Sequence, residues 1–167
     1  MIRPLLHYPH PTLTKVAAPV TEVTDELTTL ATDMIETLFH HGGVGLSAPQ
    51  VGESVRLIIV RDMATAKGLP IIVFNPVITE RSGQQIYHEG CLSVPKAYDY
   101  VKRAKTITVE GMTVTGDPYK ETHTFINAVI FQHEIDHLDG IEFINHLSAG
   151  KRLLALKQSA KYRTNIK

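Results

Sequence analysis

The sequence holds very little cysteine, no excess of either charge and no long apolar run. Cys91 is the only cysteine among 167 residues, so no disulfide can form within the chain, as in proteins of reducing compartments. The 17 basic side chains balance the 17 acidic ones, which gives no overall reason to expect DNA or another polyanion as a specific partner. Because no apolar run is long enough to span a bilayer, we expect no membrane association.

The N-terminal segment lacks the features of a secretion signal. Pro4, Pro9 and Pro11 interrupt it, and no apolar signal-peptide core is present there. No transit peptide is visible either, so we expect a bacterial-type cytoplasmic protein. With 43% hydrophobic and 20% charged residues, residues 1–167 are expected to form a single domain.

The C-terminal part has no acidic residue after Glu142. Six basic residues follow, namely Lys151, Arg152, Lys157, Lys161, Arg163 and Lys167. Ser148 is a good N-cap for a helix that carries several leucines, so residues 148–167 are expected to form a basic helix or tail. A solvated amphipathic helix is the simplest interpretation. A nucleic-acid-binding module is an alternative that rests on this tail alone.

Residues 132–140 contain the pattern His-Glu-x-x-His, formed by His133, Glu134 and His137. On a helix, positions four apart lie on one face, about 6 Å apart along the axis. Two imidazoles so placed reach one metal ion, with the glutamate beside it. The apolar residues before the pattern and Gly140 as C-cap predict a buried, metal-binding helix. The alternative is a core helix that carries two histidines without a metal.

Periodicity predicts an α+β fold. Apolar residues between positions 27 and 39 recur at helical spacing behind the N-cap Thr24. Residues 55–60, 71–74, 77–80, 84–87 and 106–109 are predicted strands, with a bulge at Gly111 where the alternation shifts. We expect mostly antiparallel sheets packed around the central metal-binding helix, with an N-terminal amphipathic helix and a C-terminal helix.

A catalytic site of this type needs a third protein ligand and an open position for water. The residues leave several candidates open, among them Cys91, Glu142 and His146. The extended pattern with a third histidine fails because position 143 is Phe143. A thiolate is a strong ligand for zinc or iron(II). Beside two imidazoles we therefore favour Cys91 as a ligand over Cys91 as a small core residue.

Three motifs, in this order, resemble the peptide deformylase family along essentially the whole chain. They are Gly-Val-Gly-Leu-Ser-Ala-Pro-Gln at residues 43–50, Glu-Gly-Cys-Leu-Ser at 89–93 and His-Glu-Ile-Asp-His-Leu at 133–138. The residues by themselves indicate a metal hydrolase. The resemblance implies a hydrolase that removes the formyl group from the N-terminal formyl-methionine of nascent peptides and releases formate.

The resemblance also implies a cofactor and residue roles. One divalent cation per chain, natively iron(II), with zinc, nickel or cobalt possible in purified protein, would be bound by Cys91, His133 and His137. Glu134 would be the general base. The backbone N–H of Leu92 and the side-chain amide of Gln50 would stabilise the developing oxyanion.

For the substrate, the resemblance implies a peptide that pairs as an added strand beside the first motif. The substrate-binding residues would be Gly43, Val44, Gly45, Ile126, Val129 and Ile130, with His133 also lining the methionine pocket. Glu89, Arg103 and Asp136 match positions whose hydrogen bonds and ion pairs hold the ligands in place. The basic C-terminal helix is a possible ribosome contact, as in some bacterial members.

The chain departs from the family's usual pattern at three positions. Ser47 stands where alanine is usual, and we expect little effect. Tyr98 stands near the pocket rim where some members carry arginine, which affects the expected substrate preference. Phe125 stands where glycine is common before the metal helix, so the entry to that helix is expected to differ.

Two alternative functions belong to other classes. A zinc endopeptidase would use His133 and His137 with a third ligand other than Cys91. A catalytically silent homologue would keep the metal in a closed site of four protein ligands.

Overall fold

The computed structural model describes residues 1–163, which contain three α-helices and seven β-strands. The helices are α1 (Asp25–His40), α2 (Phe125–Leu138) and α3 (Ala149–Ser159). The strands are β1 (Gly45–Ser47), β2 (Leu57–Arg61), β3 (Pro70–Ser82), β4 (Gln85–Cys91), β5 (Val94–Arg103), β6 (Thr106–Met112) and β7 (Pro118–Thr124). Single 3₁₀ turns lie at Pro11–Thr14, Ala48–Val51, Phe143–His146 and Ala160–Tyr162.

The named strands form two antiparallel sheets. One has five strands in the order β1-β2-β3-β6-β7, and the other is the hairpin of β4 and β5. The predicted α+β class with mostly antiparallel sheets is therefore confirmed. Of the 14 residues of α2, 11 are buried, so most of this helix is shielded from solvent.

The sequence of β2 explains why helices cover both faces of the larger sheet. Successive strand side chains point to opposite faces, and β2 is apolar at four positions in a row. Ile58 and Val60 pack in the same core cluster as Phe131 of α2. Leu57 and Ile59 pack with Met34 of α1 in the other cluster. The predicted apolar stripe of α1 is thus the face that covers the sheet, except at Phe39, which is 43% exposed.

Two strand predictions need correction. The separate strands predicted at 71–74 and 77–80 are parts of one strand, β3. The bulge predicted at Gly111 is on the partner strand, because β3 holds one extra residue between Phe74 and Val77 while β6 keeps a regular register with β7. Gly111 lies opposite the bulge, where an added Cβ would be 2.6 Å from the Phe74 carbonyl oxygen.

The sequence did not predict β5. Pro95 and several exposed polar residues hide its alternation, and a proline normally argues against a strand. The buried residues of β5 nevertheless include Val94, Ala97, Val101 and Arg103. Three of them pack against the segment after α2, and the fourth carries the charge network described below.

The C-terminal helix begins where it was predicted. Ser148 Oγ accepts a hydrogen bond from the Lys151 N–H over 3.4 Å, which caps α3. Of its leucines, Leu156 packs against the core, while Leu153 and Leu154 are 65% and 56% exposed. The predicted tail continues beyond position 163 and there lies outside the described residues. Among the described helices, none combines the length and apolarity needed to cross a bilayer.

The start of α2 has an uncommon backbone conformation. Phe125 has φ +52°, a region in which an L-residue is disfavoured by about 1–2 kcal/mol and glycine is not. The Phe125 side chain is 59% exposed, so little burial offsets this cost. The departure noted at Phe125 in the sequence therefore coincides with a strained position.

We expect Phe125→Gly to be more stable than Phe125→Ala by about 1 kcal/mol, because only glycine relieves the strain at positive φ. Both variants lose the contact of the Lys105 ammonium with the ring, so that loss cancels in the comparison. Urea unfolding of the two variants measures the difference. At an ordinary exposed helix position the alanine variant is the more stable by about 1 kcal/mol. A more stable Phe125→Ala would therefore contradict the strain inferred at Phe125.

Candidate metal centre

Three predicted ligands converge at one point between α2 and the end of β4. His133 Nε2 and His137 Nε2, one helical turn apart, are separated by 3.2 Å. Cys91 Sγ lies 3.3 Å from His137 Nε2. Atoms this close can share one cation, since zinc binds nitrogen at about 2.0–2.1 Å and sulfur at about 2.3 Å. With Glu142, these residues offer ligand atoms that all lie within 4.8 Å of one another.

The turn after Cys91 and the turn after β1 bring two donors to the sulfur. The Ser93 N–H donates to Sγ over 3.4 Å, and the Gln50 amide NH₂ donates to it over 3.5 Å. Gln50 is buried, and its Oε1 accepts hydrogen bonds from the N–H and the hydroxyl of Ser47, over 2.9 and 3.0 Å. Ser47 therefore helps to fix the amide with its NH₂ group toward Cys91.

Glu134 lies between the helix and the backbone of β1. A Cβ added at Gly45 would be 2.8 Å from both Glu134 Cγ and Ile130 Cγ2, so the glycine makes room for these side chains. Glu134 is 3% exposed, and its Oε2 has no hydrogen-bond partner among the described residues. Burial raises the pKa of Glu134 to about 8. A buried carboxyl oxygen without a partner is costly, which is typical of a functional group.

Arg103 links β4 to α2 through two carboxylates, Glu89 and Asp136. Its guanidinium donates to both oxygens of Glu89 over 2.8 and 2.9 Å and to Asp136 over 2.6 Å. Glu89 Oε1 in turn lies 2.8 Å from His133 Nδ1. Burial alone would raise the pKa of Glu89, but the hydrogen bonds from Arg103 and His133 outweigh it and lower that pKa to about 2. Glu89 is therefore an ionised partner for the imidazole.

The donor set fits a metal ion. Without a metal, burial raises the pKa of the Cys91 thiol and lowers that of His137 to about 4. Burial would also lower the pKa of His133, but the hydrogen bond with Glu89 outweighs it and raises the value to about 9. Metal binding requires a thiolate and neutral rings, so Cys91 and His133 would have to lose protons to hold a cation. One thiolate with two imidazoles suits zinc or iron(II).

The structure separates the two other ligand candidates. Glu142 lies in the donor group, with Oε2 3.6 Å from His137 Nδ1. His146 lies outside that group, and its Nε2 is 2.8 Å from Asp136 Oδ2. The sequence spacing could not distinguish Glu142 from His146. Both follow α2 in a segment where the chain changes direction, and no helical or strand periodicity predicts which side chain turns toward the donor group.

The predicted substrate-binding residues lie along β1 and the start of α2. Gly45 opens β1, which is an edge strand of the five-stranded sheet and so offers backbone groups to a further strand. Val44 is 39% exposed just before it. On α2, Val129 and Ile130 are buried, while Ile126 is half-buried against the core.

Comparison with known proteins identifies the family. The family model described as Polypeptide deformylase matches residues 2–153. The peptide deformylase of Acidobacterium capsulatum is 42% identical over 163 residues, which cover 96% of this chain and 95% of that protein. The chain belongs to the peptide deformylase family.

Solved structures of peptide deformylases share the fold. That from Legionella pneumophila is 41% identical with a TM-score of 0.92, covering 97% of this chain and 95% of that chain. The class I type b peptide deformylase from Acinetobacter baumannii, solved with Met-Ala-Ser bound, is 33% identical with a TM-score of 0.83, covering 88% of this chain and 99% of that chain. Peptide deformylases are metal-dependent hydrolases that remove an N-formyl group, and this member is an enzyme of that type.

Proposed function

We propose that this deformylase removes the formyl group from formyl-methionyl nascent peptides at a centre built by Cys91, His133 and His137. The observation that carries the proposal is the convergence of one sulfur and two Nε2 atoms, separated by 3.3 and 3.2 Å, beside a buried glutamate with an unpartnered oxygen. These three side chains would hold one divalent cation, iron(II) in the cell, with zinc, nickel or cobalt as substitutes in purified protein. When bound, the cation polarises the formyl carbonyl and lowers the pKa of the attacking water.

Glu134 would move the proton in this reaction. A cation bound beside Glu134 would favour its ionised form and offset the effect of burial. The carboxylate would then take a proton from the attacking water and pass it to the leaving amine as the carbon–nitrogen bond breaks. The unpartnered Oε2 supports this role, because it leaves one oxygen available to water. The buried position excludes competing solvent protons.

Gln50 and the Leu92 backbone N–H would donate hydrogen bonds to the oxygen that gains charge as water adds to the formyl carbon. One such donor contributes about 3–4 kcal/mol in the transition state. Support comes from the fixed orientation of Gln50, whose Oε1 is occupied by Ser47. Leu92 directly follows Cys91 in the turn between β4 and β5.

The peptide would pair with β1 as an added strand, main chain to main chain. The Acinetobacter relative was solved with Met-Ala-Ser bound, and we propose the same class of ligand here. Gly43, Val44 and Gly45 would line the peptide backbone. Ile126, Val129 and Ile130 of α2 would line the pocket for the methionine side chain.

Formate release from formyl-Met-Ala-Ser tests the function directly. Protein loaded with one equivalent of metal should release formate and leave an unformylated protein substrate uncut. Internal cleavage of that protein without formate release would support the endopeptidase alternative. Metal binding with neither reaction would support the catalytically silent one.

We further propose that residues 1–167 act as one catalytic domain in the cytoplasm and that the C-terminal helix contacts the ribosome. Support comes from the exposed leucines of α3 beside the basic residues of the tail. Phosphate contacts make such binding salt-dependent. Lys157→Glu with Lys161→Glu should weaken ribosome binding more at low salt than at high salt. Equal affinity of both proteins at low salt would exclude the contact.

A further inference from the structure

Glu142 is a buried carboxylate that the proposed reaction leaves without a role. It is 2% exposed and lies four positions after α2 ends, at the N-cap of the 3₁₀ turn Phe143–His146. Its Oε1 accepts a hydrogen bond from the Phe143 N–H over 3.1 Å. Its Oε2 has no hydrogen-bond partner among the described residues. Oε1 of this carboxylate therefore caps the turn, and Oε2 is left available for another contact.

Glu142 faces the metal centre as a whole, because one of its carboxylate oxygens lies within 4.8 Å of Cys91 Sγ and of one nitrogen of each histidine. Oε2 lies 3.6 Å from His137 Nδ1, while Nε2 of the same ring faces Cys91 and His133. Glu89 stands in the same relation to the other ring, 2.8 Å from His133 Nδ1. Each imidazole thus has one nitrogen toward the shared point and the other toward a carboxylate. Such a carboxylate fixes the tautomer and orientation of a metal-binding histidine.

The two carboxylates differ in what compensates their charge. Glu89 has the Arg103 guanidinium against both of its oxygens. Within residues 1–163, the ion pairs of the structure give Glu142 no lysine or arginine partner, only His137. A buried carboxylate without a cation is destabilising in the metal-free protein. A divalent cation on the far side of the ring would supply the missing positive charge.

We propose that Glu142 is a positioning residue for the metal: its Oε2, which lies 3.6 Å from His137 Nδ1, would close to hydrogen-bond distance of the Nδ1–H when a cation binds, so that Nε2 is presented to the cation. The proposal rests on the metal centre of the proposed function and deepens it. The proposal predicts opposite effects of Glu142 on the metal-bound and the metal-free protein. The carboxylate strengthens metal binding, and it lowers the stability of the protein when no metal is bound. A residue that only caps a turn would stabilise both states.

Cobalt(II) binding by Glu142→Gln tests the proposal. The glutamine keeps the volume and the capping oxygen but lacks the charge. Competition against a chelator should show about 10–100-fold weaker cobalt affinity than wild type. Urea unfolding of the metal-free proteins should show the variant at least as stable as wild type. The matched control is Asn145→Ala, which removes the other half of the cap, the hydrogen bond from Glu142 N–H to Asn145 Oδ1, and should keep cobalt affinity within about threefold.

The electronic spectrum of the cobalt-loaded proteins separates positioning from ligation. A positioning role predicts the same ligand-field bands in wild type and Glu142→Gln, because the ligands are unchanged. Altered bands would show that Glu142 itself binds the cation and would overturn the proposal, as would unchanged affinity or an equal loss in Asn145→Ala. Failure of wild type to bind cobalt would instead refute the metal centre of the proposed function.

Discussion

Glu134→Gln is expected to slow formate release from formyl-Met-Ala-Ser by a factor of about 10²–10⁴ while the metal content stays at the wild-type level. The amide has nearly the same size as the carboxylate, so the space between α2 and Gly45 stays filled. It cannot accept the proton of the attacking water at neutral pH. Since Glu134 is not among the converging donor atoms, the cation should remain bound.

The measurement compares kcat and metal content of the two proteins under identical loading. Glu80→Gln serves as the control, because Glu80 is exposed on β3 and does not belong to the group of converging donor atoms. We expect the control to retain the wild-type rate. Turnover by Glu134→Gln within a few fold of wild type would remove Glu134 from the mechanism. Loss of the metal together with the rate would show a structural role instead.

Arg103→Met is expected to lower the free energy of unfolding by about 3–5 kcal/mol, because it removes the guanidinium that binds both oxygens of the buried Glu89. Arg103 is 6% exposed and Glu89 is 4% exposed, so water cannot replace the lost partner. The low pKa of Glu89, about 2, depends on this arginine, as does its hold on His133. Urea unfolding of the metal-free proteins measures the loss.

Arg81→Met is the matched control for Arg103→Met, since Arg81 is exposed on β3 and should change stability by less than about 0.5 kcal/mol. A double variant, Arg103→Met with Glu89→Leu, should recover part of the loss, because it removes the uncompensated charge as well. A loss below about 1 kcal/mol in Arg103→Met would mean that the network is weakly coupled to folding. The conclusion that Arg103 and Glu89 hold the His133 ring in place would then be wrong.

The fold was predictable where one pattern dominates a segment. The helical period behind Thr24 predicted α1, and the apolar run predicted a strand at 55–60, which the structure places at 57–61 as β2. β5 was missed because its buried positions alternate with a proline, a lysine and tyrosines. The bulge was assigned to the wrong strand because the sequence of β6 shows only the phase shift, whereas the register of the pair decides which strand holds the extra residue.

The parts of the candidate site that lie close together in the sequence were the easier ones to predict. Two histidines four positions apart on one helix turn lie together by helix geometry alone. Cys91 is 42 positions before His133 in the sequence, and no periodicity links them. The chemistry of a thiolate favoured Cys91, but Glu142 and His146 stayed open until the resemblance to a family selected it. Glu142 shows the remaining limit: the sequence offered it as a ligand, and only the coordinates show which nitrogen of His137 it faces.

X-ray absorption on the zinc-loaded full chain tests the central claim most directly, that one sulfur and two imidazoles share a cation with a position left open. The account predicts one sulfur neighbour at about 2.3 Å and nitrogen or oxygen neighbours at about 2.0–2.2 Å, two of them imidazoles. It further predicts that the sulfur signal disappears in Cys91→Ala. A zinc ion without a sulfur neighbour in the wild-type protein would contradict the account.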